Sequence, residues 1–230
     1  MNSQTQPVVA VVVAAGSGSR LGANTPKALV GLGGEPLVRR SVEAMRAGGV
    51  TRVVVTIPDG YQALFETALA GLDYATCTLG GPQRQDSVRL GLEVLAEQYP
   101  PEAIVLIHDA ARPLVPPTVT AAVARAVAAG AAGAIPAVPV HDTIRVADGG
   151  VVDRSTLRAV QTPQGFPLGL LHRSHREVSV RGLAVTDDAA VVEVLGHRIE
   201  LVPGHRDAMK ITEPPDLVLA EAILAERSGP

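Results

Sequence analysis

The sequence predicts an α/β fold in which a mostly parallel sheet carries helices on both faces and a β-hairpin arm is inserted late in the chain. Three observations support this. Apolar runs of strand length recur without polar alternation, which suits strands covered on both faces. Stripes at helical spacing lie between them, so strand and helix alternate. Past Val140 the pattern breaks into two short strand-like stretches around a turn signal.

Taken in order, "VVAVVVAA" (Val8 to Ala15) reads as the first strand, and it runs into the polar turn "GSGSRLG". Val38, Val42 and Met45 form one helical stripe, and "RVVVTIP" (Arg52 to Pro58) a second strand. A weaker strand near Tyr74 to Leu79 leads to "GGPQRQDS", after which Val88, Leu92 and Leu95 with Gly91 make another stripe. "EAIVLIHDA" (Glu102 to Ala110) is a fourth strand ending in "HDAARP", and Ala121 to Val140 reads as a helix followed by the buried strand "AAGAIPAVPV". The hairpin turns at Asp148, Gly149 and Gly150. Helices resume at Pro167 to Val178, Asp187 to Leu195 and Pro214 to Arg227, with the short strand "RIELVPG" between the last two. This describes one domain over residues 1–230, with the arm at about 138–162.

A chain of 230 residues buries roughly 70% of its unfolded surface and supplies its own core. That core is almost free of aromatics, with two Phe, three Tyr and no Trp, so Val, Ala and Leu must fill it. The net charge of −3 provides no basic surplus to hold nucleic acid by its phosphates, and few rings are available for stacking on bases. A single cysteine, Cys77, excludes an internal disulfide and reads as buried and inert. The N-terminus lacks a basic segment and the apolar run after it is short, so no signal and no membrane span are expected, and the chain reads as cytoplasmic.

Ligands of such sheets bind beyond the carboxyl ends of the strands, and those ends are unusually polar here. Gly16, Gly18 and Gly22 allow a backbone that exposes several amides to phosphate oxygens. A dinucleotide fingerprint is disfavoured, because the third glycine comes late and Pro26 stands where the helix should run. Arg20 and Lys27 provide instead a fork of donors and a point charge, suited to a triphosphate and to charge developing in phosphoryl or nucleotidyl transfer, unless they are solvated surface charges.

Asp109 should emerge at the sheet's carboxyl edge, either to ligate a hard cation such as Mg2+ or to form a turn. His108 suits a structural hydrogen bond better than proton transfer, and Arg112 is either an anion contact or a partner for Asp109. Arg84 and Ser87 fall one turn apart on the helix after Gly80 and Gly81; Ser87 can read a base edge, or Asp86 or Ser87 can cap that helix. Later polar groups are Thr143 and Arg154 on the hairpin, Thr186 to Asp188, and Lys210. "TDDAA" also makes an ordinary helix start with Thr186 as cap.

In order, "AAGSGSRLG", "PKAL", "GGPQRQDSV", "HDAARP", "DTI", "QTPQGF", "TDDA" and "KIT" resemble the 2-C-methyl-D-erythritol 4-phosphate cytidylyltransferase family over about Val8 to Leu224. Small departures are Pro82 after the glycine pair, no Gln beside "PKAL", and Ala rather than Ser after "TDDA". The resemblance implies a Rossmann-like domain of the nucleotide-diphospho-sugar transferase type. The implied reaction is Mg2+-dependent transfer of CMP from CTP to methylerythritol phosphate in non-mevalonate isoprenoid synthesis. It further implies that Arg20 and Lys27 stabilise the transition state and that Gly81 and Ser87 with the Ala14, Ala15 and Gly16 backbone bind the cytidine. Gly18 and Arg84 would complete the nucleotide site, and Asp109 would serve the metal. Thr143, Arg154, Thr186, Arg112 and Lys210 would hold the sugar phosphate, within a homodimer that exchanges its arms. The rival readings are a cytidylyltransferase for another polyol phosphate such as ribitol 5-phosphate, a nucleotide-binding dehydrogenase, and a silent nucleotide-binding homologue.

Overall fold

The computed structural model of the chain describes residues 6–16 and 25–228. The elements run β1 (Val8–Val13), β2 (Gly31–Leu32), β3 (Glu35–Pro36), α1 (Leu37–Ala47), β4 (Arg52–Ile57), α2 (Gln62–Ala68), β5 (Ala75–Leu79), α3 (Arg84–Ala96), β6 (Ile104–Asp109) and α4 (Pro117–Ala128). They continue with β7 (Ala134–Pro139), β8 (Ile144–Arg145), β9 (Val151–Val152), β10 (Arg158–Val160), β11 (Gln164–Pro167), α5 (Leu168–Val180), α6 (Asp188–Glu193), β12 (Glu200–Pro203) and α7 (Pro214–Ser228). The mostly parallel α/β sheet expected from the sequence is present: β5, β4, β1 and β6 are parallel neighbours, and β12 runs parallel to β7. β8 and β9 form the expected hairpin around Asp148 to Gly150. No helix among the described residues is long and apolar enough to cross a membrane.

The unbroken apolar runs are explained by two-sided burial. Val9 and Val11 of β1 pack with Val88, Leu92 and Leu95 of α3, whereas Ala10 and Val12 pack with Val38, Val42 and Met45 of α1. Each valine so buried stabilises the fold by about 1.5–3 kcal/mol, so neither face can accept a polar alternation. Gly91 lets α3 settle onto β1: a Cβ there would lie 2.6 Å from Val11 Cγ1. The two phenylalanines are fully buried on opposite sides of the sheet, Phe65 with the α1 layer and Phe166 with the α3 layer.

Two strands differ from expectation. The segment after the hairpin adds β10, inside the span expected for the arm, and β11, where no strand was expected, antiparallel to β7 and β6. Gly165 and Pro167 hid β11, since both residue types are poor strand formers. The glycine is required by packing, because a Cβ at position 165 would lie 2.5 Å from Val123 Cγ1 of α4. The pairing of β11 with β6 sets Gln164 opposite Ile107 and carries Thr162 to the end of β6.

There His108 is fully buried, with Nε2 3.2 Å from the Arg112 carbonyl and Nδ1 3.0 Å from Thr162 Oγ1. A carbonyl only accepts, so Nε2 carries the proton and Nδ1 accepts from the threonine hydroxyl. Thr162 Oγ1 in turn accepts from the Asp109 N–H at 3.1 Å. His108 is therefore structural, as its sequence context suggested.

Burial pushes the His108 imidazole down to about 4 from its ordinary 6.5, so the fold keeps it neutral while the unfolded chain protonates it. Its contribution is full above pH 6.5 and is lost as pH falls toward 4. Unfolding by urea should show a constant midpoint above neutrality and a loss of about 2–3 kcal/mol across that acid window. The His108→Asn variant should be less stable at neutral pH but flatter across the window; a wild-type midpoint that does not move there would contradict the assignment.

Candidate active site

The ends of three parallel strands come into line. Val13 lies opposite both Thr56 and Asp109. Beyond the strands the pairing continues, with Ala14 N–H donating to Thr56 O at 2.9 Å, Ala110 N–H to Val13 O at 3.1 Å and Gly80 N–H to Ile57 O at 2.8 Å. This sets Ala14 to Gly16, Gly81 to Gln83, and Ala110 with Ala111 side by side around a cleft of about 490 Å³. Lys27, Arg84, Ser87, Asp109, Lys210 and Thr212 complete its wall. Gly16, which opens the first polar turn, thus meets the polar segments after β5 and β6 at one cleft; residues 17–24 of that turn lie outside the described residues.

The glycine-rich wall is close-packed. A Cβ on Gly80 would lie 2.5 Å from Ala15 Cβ, and one on Gly81 would lie 2.3 Å from Asp86 Cβ. Ser87 Oγ accepts from Gly81 N–H at 3.1 Å and lies 3.1 Å from Gln83 O, so it fastens the turn to the first turn of α3. The capping role goes to Asp86, whose carboxylate accepts from Gln83 N–H at 3.3 Å.

Charge is concentrated at Asp109. Its Oδ1 lies 3.2 Å from Arg84 Nε and its Oδ2 2.8 Å from Lys210 Nζ. Burial alone would raise its carboxyl, but Arg84 and Lys210 outweigh that and hold it below the ordinary aspartate range. Lys210 is brought there by its neighbour, since Ile211 N–H donates to Ala111 O at 2.8 Å. Arg84 meets a second carboxylate, with Nη1 2.8 Å from Asp188 Oδ2. Asp188 is fully buried at the start of α6, and His175 Nε2 of α5 lies 3.0 Å from its Oδ1. Burial raises the Asp188 carboxyl, and Arg84 with His175 again reverses the direction.

Lys27 opens a 3-10 turn (Lys27–Leu29) directly after Pro26 and lines the cleft. Gly18 and Arg20 lie outside the described residues. Gly16 lines the cleft, with no heavy atom within 4 Å of where its Cβ would stand among the described residues.

Four expected contacts are not on the cleft of this chain. Arg112 donates from Nη1 to Ala208 O at 2.7 Å and makes neither an ion pair with Asp109 nor part of the wall, because its guanidinium is taken up by backbone carbonyls. Thr143 and Arg154 are exposed on the arm, where Arg154 donates to the His141 carbonyl. Thr186 borders a separate recess of about 20 Å³ with Arg84, His175 and Asp188. It does not cap α6 either: Asp187 does, accepting from Ala190 N–H at 3.0 Å, since its extended backbone places it one residue closer. Cys77 is half-buried, and burial pushes its thiol up to about 11, which fits the inert reading.

Sequence reasoning missed Thr212 in the wall and the roles of Asp188, His175 and Gln164 behind it. Gln164 Oε1 accepts from Asp188 N–H and Ala189 N–H at 3.1 Å each, and its Nε2 donates to Asp187 Oδ2 at 2.8 Å. The paired motifs "QTPQ" and "TDDA" carried the signal, because these are the residues that bond to each other.

Comparison with known proteins agrees with this geometry. The 2-C-methyl-D-erythritol 4-phosphate cytidylyltransferase family matches residues 8–226. Proteins of that name from Saccharopolyspora erythraea and Streptomyces coelicolor are each 46% identical to this chain, covering 95% of it and 99% and 85% of themselves. The crystal structure of the Thermus thermophilus protein of that name superposes with a TM-score of 0.80 at 38% identity, over 94% of this chain and 98% of its own. With its parallel sheet, its glycine-walled cleft and its match across nearly the whole length, the chain belongs to the 2-C-methyl-D-erythritol 4-phosphate cytidylyltransferase family.

Proposed function

We propose that the chain transfers CMP from CTP to the phosphate of 2-C-methyl-D-erythritol 4-phosphate, releasing pyrophosphate, as a step of non-mevalonate isoprenoid synthesis. The observation that carries the reading, beside family membership, is a single cleft in which Lys27, Arg84 and Lys210 surround a glycine-lined wall at the strand ends. The acceptor phosphate attacks the α-phosphorus in line with the departing pyrophosphate, with no covalent enzyme intermediate. A phosphate monoester is already ionised, so no general base is required. The work of the protein is to align two anions that repel one another, and fixed cations do this.

In this reading Lys27 and Arg20 meet the charge that builds at the α-phosphate. The backbone of Ala14 to Gly16, with Gly81 and Ser87, receives the cytidine, and Gly18 and Arg84 complete the nucleotide site. Lys210 faces the acceptor phosphate. A Mg2+ ion would neutralise phosphate oxygens when bound, and Asp109 would hold it. The fit rests on the one carboxylate that lines the cleft among the described residues, since Mg2+ commonly takes one or two carboxylates and completes its shell with phosphates and water; Arg84 and Lys210 hold its two oxygens, so one of them would have to yield to the metal. Among the described residues no cluster of three or more His, Cys, Asp or Glu side chains stands ready to hold a metal. The exposed place of Thr143 and Arg154 on the arm is compatible with the homodimer that the family resemblance implies, in which the arm serves the neighbour's site.

An acceptor screen with CTP and Mg2+ that follows pyrophosphate tests the substrate. Turnover with methylerythritol phosphate and little with ribitol 5-phosphate is expected, and the reverse preference would overturn the acceptor assignment. Steady-state kinetics should also separate the cations. Lys27→Ala should lower kcat by about 10²–10³, the usual loss when a preorganised charge at a developing anion is removed. Arg154→Ala should raise the acceptor KM by about tenfold with a small change in kcat, as expected for lost ground-state binding. An unchanged kcat in Lys27→Ala would remove that residue from the reacting phosphate.

A further inference from the structure

We propose that Asp188 is a positioning residue of this enzyme, acting on the nucleotide site only through Arg84. The inference rests on the reading of the cleft as a CTP site. Arg84 is the first residue of α3 and is shared between two carboxylates: Nε faces Asp109 Oδ1 at 3.2 Å and Nη1 faces Asp188 Oδ2 at 2.8 Å. Asp109 lines the cleft, while Asp188 stands behind it, fully buried.

Asp188 is itself held at its side chain and at its backbone, and its neighbour is held as well. His175 Nε2 of α5 lies 3.0 Å from its Oδ1, its own N–H donates to Gln164 Oε1 of β11, and the adjoining Asp187 accepts from Gln164 Nε2. Such a carboxylate cannot follow a moving guanidinium. Arg84 is anchored by it instead, with its side chain 30% exposed and lining the cleft.

The geometry matters because a guanidinium is a planar fork that prefers to grip one carboxylate with two nitrogens. Without the pull of Asp188, Arg84 can rotate onto Asp109 and occupy both of its oxygens. That would displace Lys210 from Oδ2 and leave one cation instead of two fixed at Asp109. With Asp188 in place, Arg84 takes only Oδ1, and Lys210 keeps Oδ2. Asp188 thereby divides Arg84 between two carboxylates and lets Arg84 and Lys210 each keep one oxygen of Asp109, so that both cations stand at the cleft. It also places Arg84 on the shared border of the cleft and the recess beside Thr186.

The test is a double-substitution cycle on the full-length enzyme, using Asp188→Asn and Arg84→Gln, with kcat and the KM for CTP measured for all four proteins. Asp188→Asn keeps the shape and the acceptor for His175 while removing the charge. Each single variant should lose about tenfold in kcat/KM for CTP, and the double variant should be no worse than Arg84→Gln alone. Multiplication of the two losses, or no loss in Asp188→Asn, would overturn the positioning role, because a merely structural aspartate would act independently of Arg84. Arg84→Lys provides a second arm that does not disturb the buried side chain. A single ammonium cannot span both carboxylates, so this variant should stay as impaired as Arg84→Gln; restoration of wild-type kcat/KM would show that charge alone suffices and would also overturn the proposal. Wild-type pyrophosphate release from CTP reports on the underlying functional reading separately, since additivity in an active enzyme removes only the role of Asp188.

Discussion

The site depends on keeping the Asp109 carboxylate ionised at the end of a fully buried strand. Every residue of β6 is buried, and a carboxyl carried into such surroundings is pushed toward its neutral form. Arg84 and Lys210 reverse this by standing at its two oxygens. The dependence is mutual. A neutral Asp109 would leave Arg84 and Lys210 beside one another without the carboxylate charge that separates them. The ionised form instead holds the cations as a fixed array, open to the cleft and arranged before any anion arrives. A catalyst that must bring two phosphates together gains most from charges that do not have to reorganise.

The rest of the fold can be read as support for that array. The valines of β1 are buried on both faces, which fixes the strand between two helical layers and so sets the height at which Ala14 and Ala110 emerge. Gly80 and Gly81 lie close against Ala15 and Asp86, so the wall that would receive a base is shaped by contact with the first turn of α3. The same turn begins with Arg84. Behind it, β11 and α6 are joined through Gln164 to Asp187, Asp188 and Ala189, and α7 closes the far side, where Arg227 bridges Asp207 and the Leu114 carbonyl.

Much of this was legible in the sequence because the signals were local. Strands buried on both faces produce unbroken apolar runs, so β1, β4 and β6 announce themselves, and Asp109 stands where such a run stops. Ala14 to Gly16, Gly81, Ser87 and Lys210 were found by their place after a strand or within a motif. The parts that stayed hidden depended on pairing across the chain. Gly165 reads as a strand breaker until α4 is seen to need its missing side chain. Thr186 reads as a helix cap until Gln164, two dozen residues earlier, is seen to fix Asp187 and Asp188. Arg112 offers a cation to the eye, yet its Nη1 donates to the Ala208 carbonyl, away from the cleft wall. Thr143 and Arg154 sit on an arm whose reach cannot be deduced from spacing within one chain.

The most direct test of the ionised array is a carbon-13 NMR titration of the Asp109 side-chain carboxyl in the folded protein without nucleotide. Its midpoint should lie below the ordinary aspartate value of about 4 and should rise when Lys210 is replaced by Met. A midpoint above the ordinary value in the wild-type protein would mean that desolvation outweighs the two cations. The fixed, ionised array on which the site is built would then be absent.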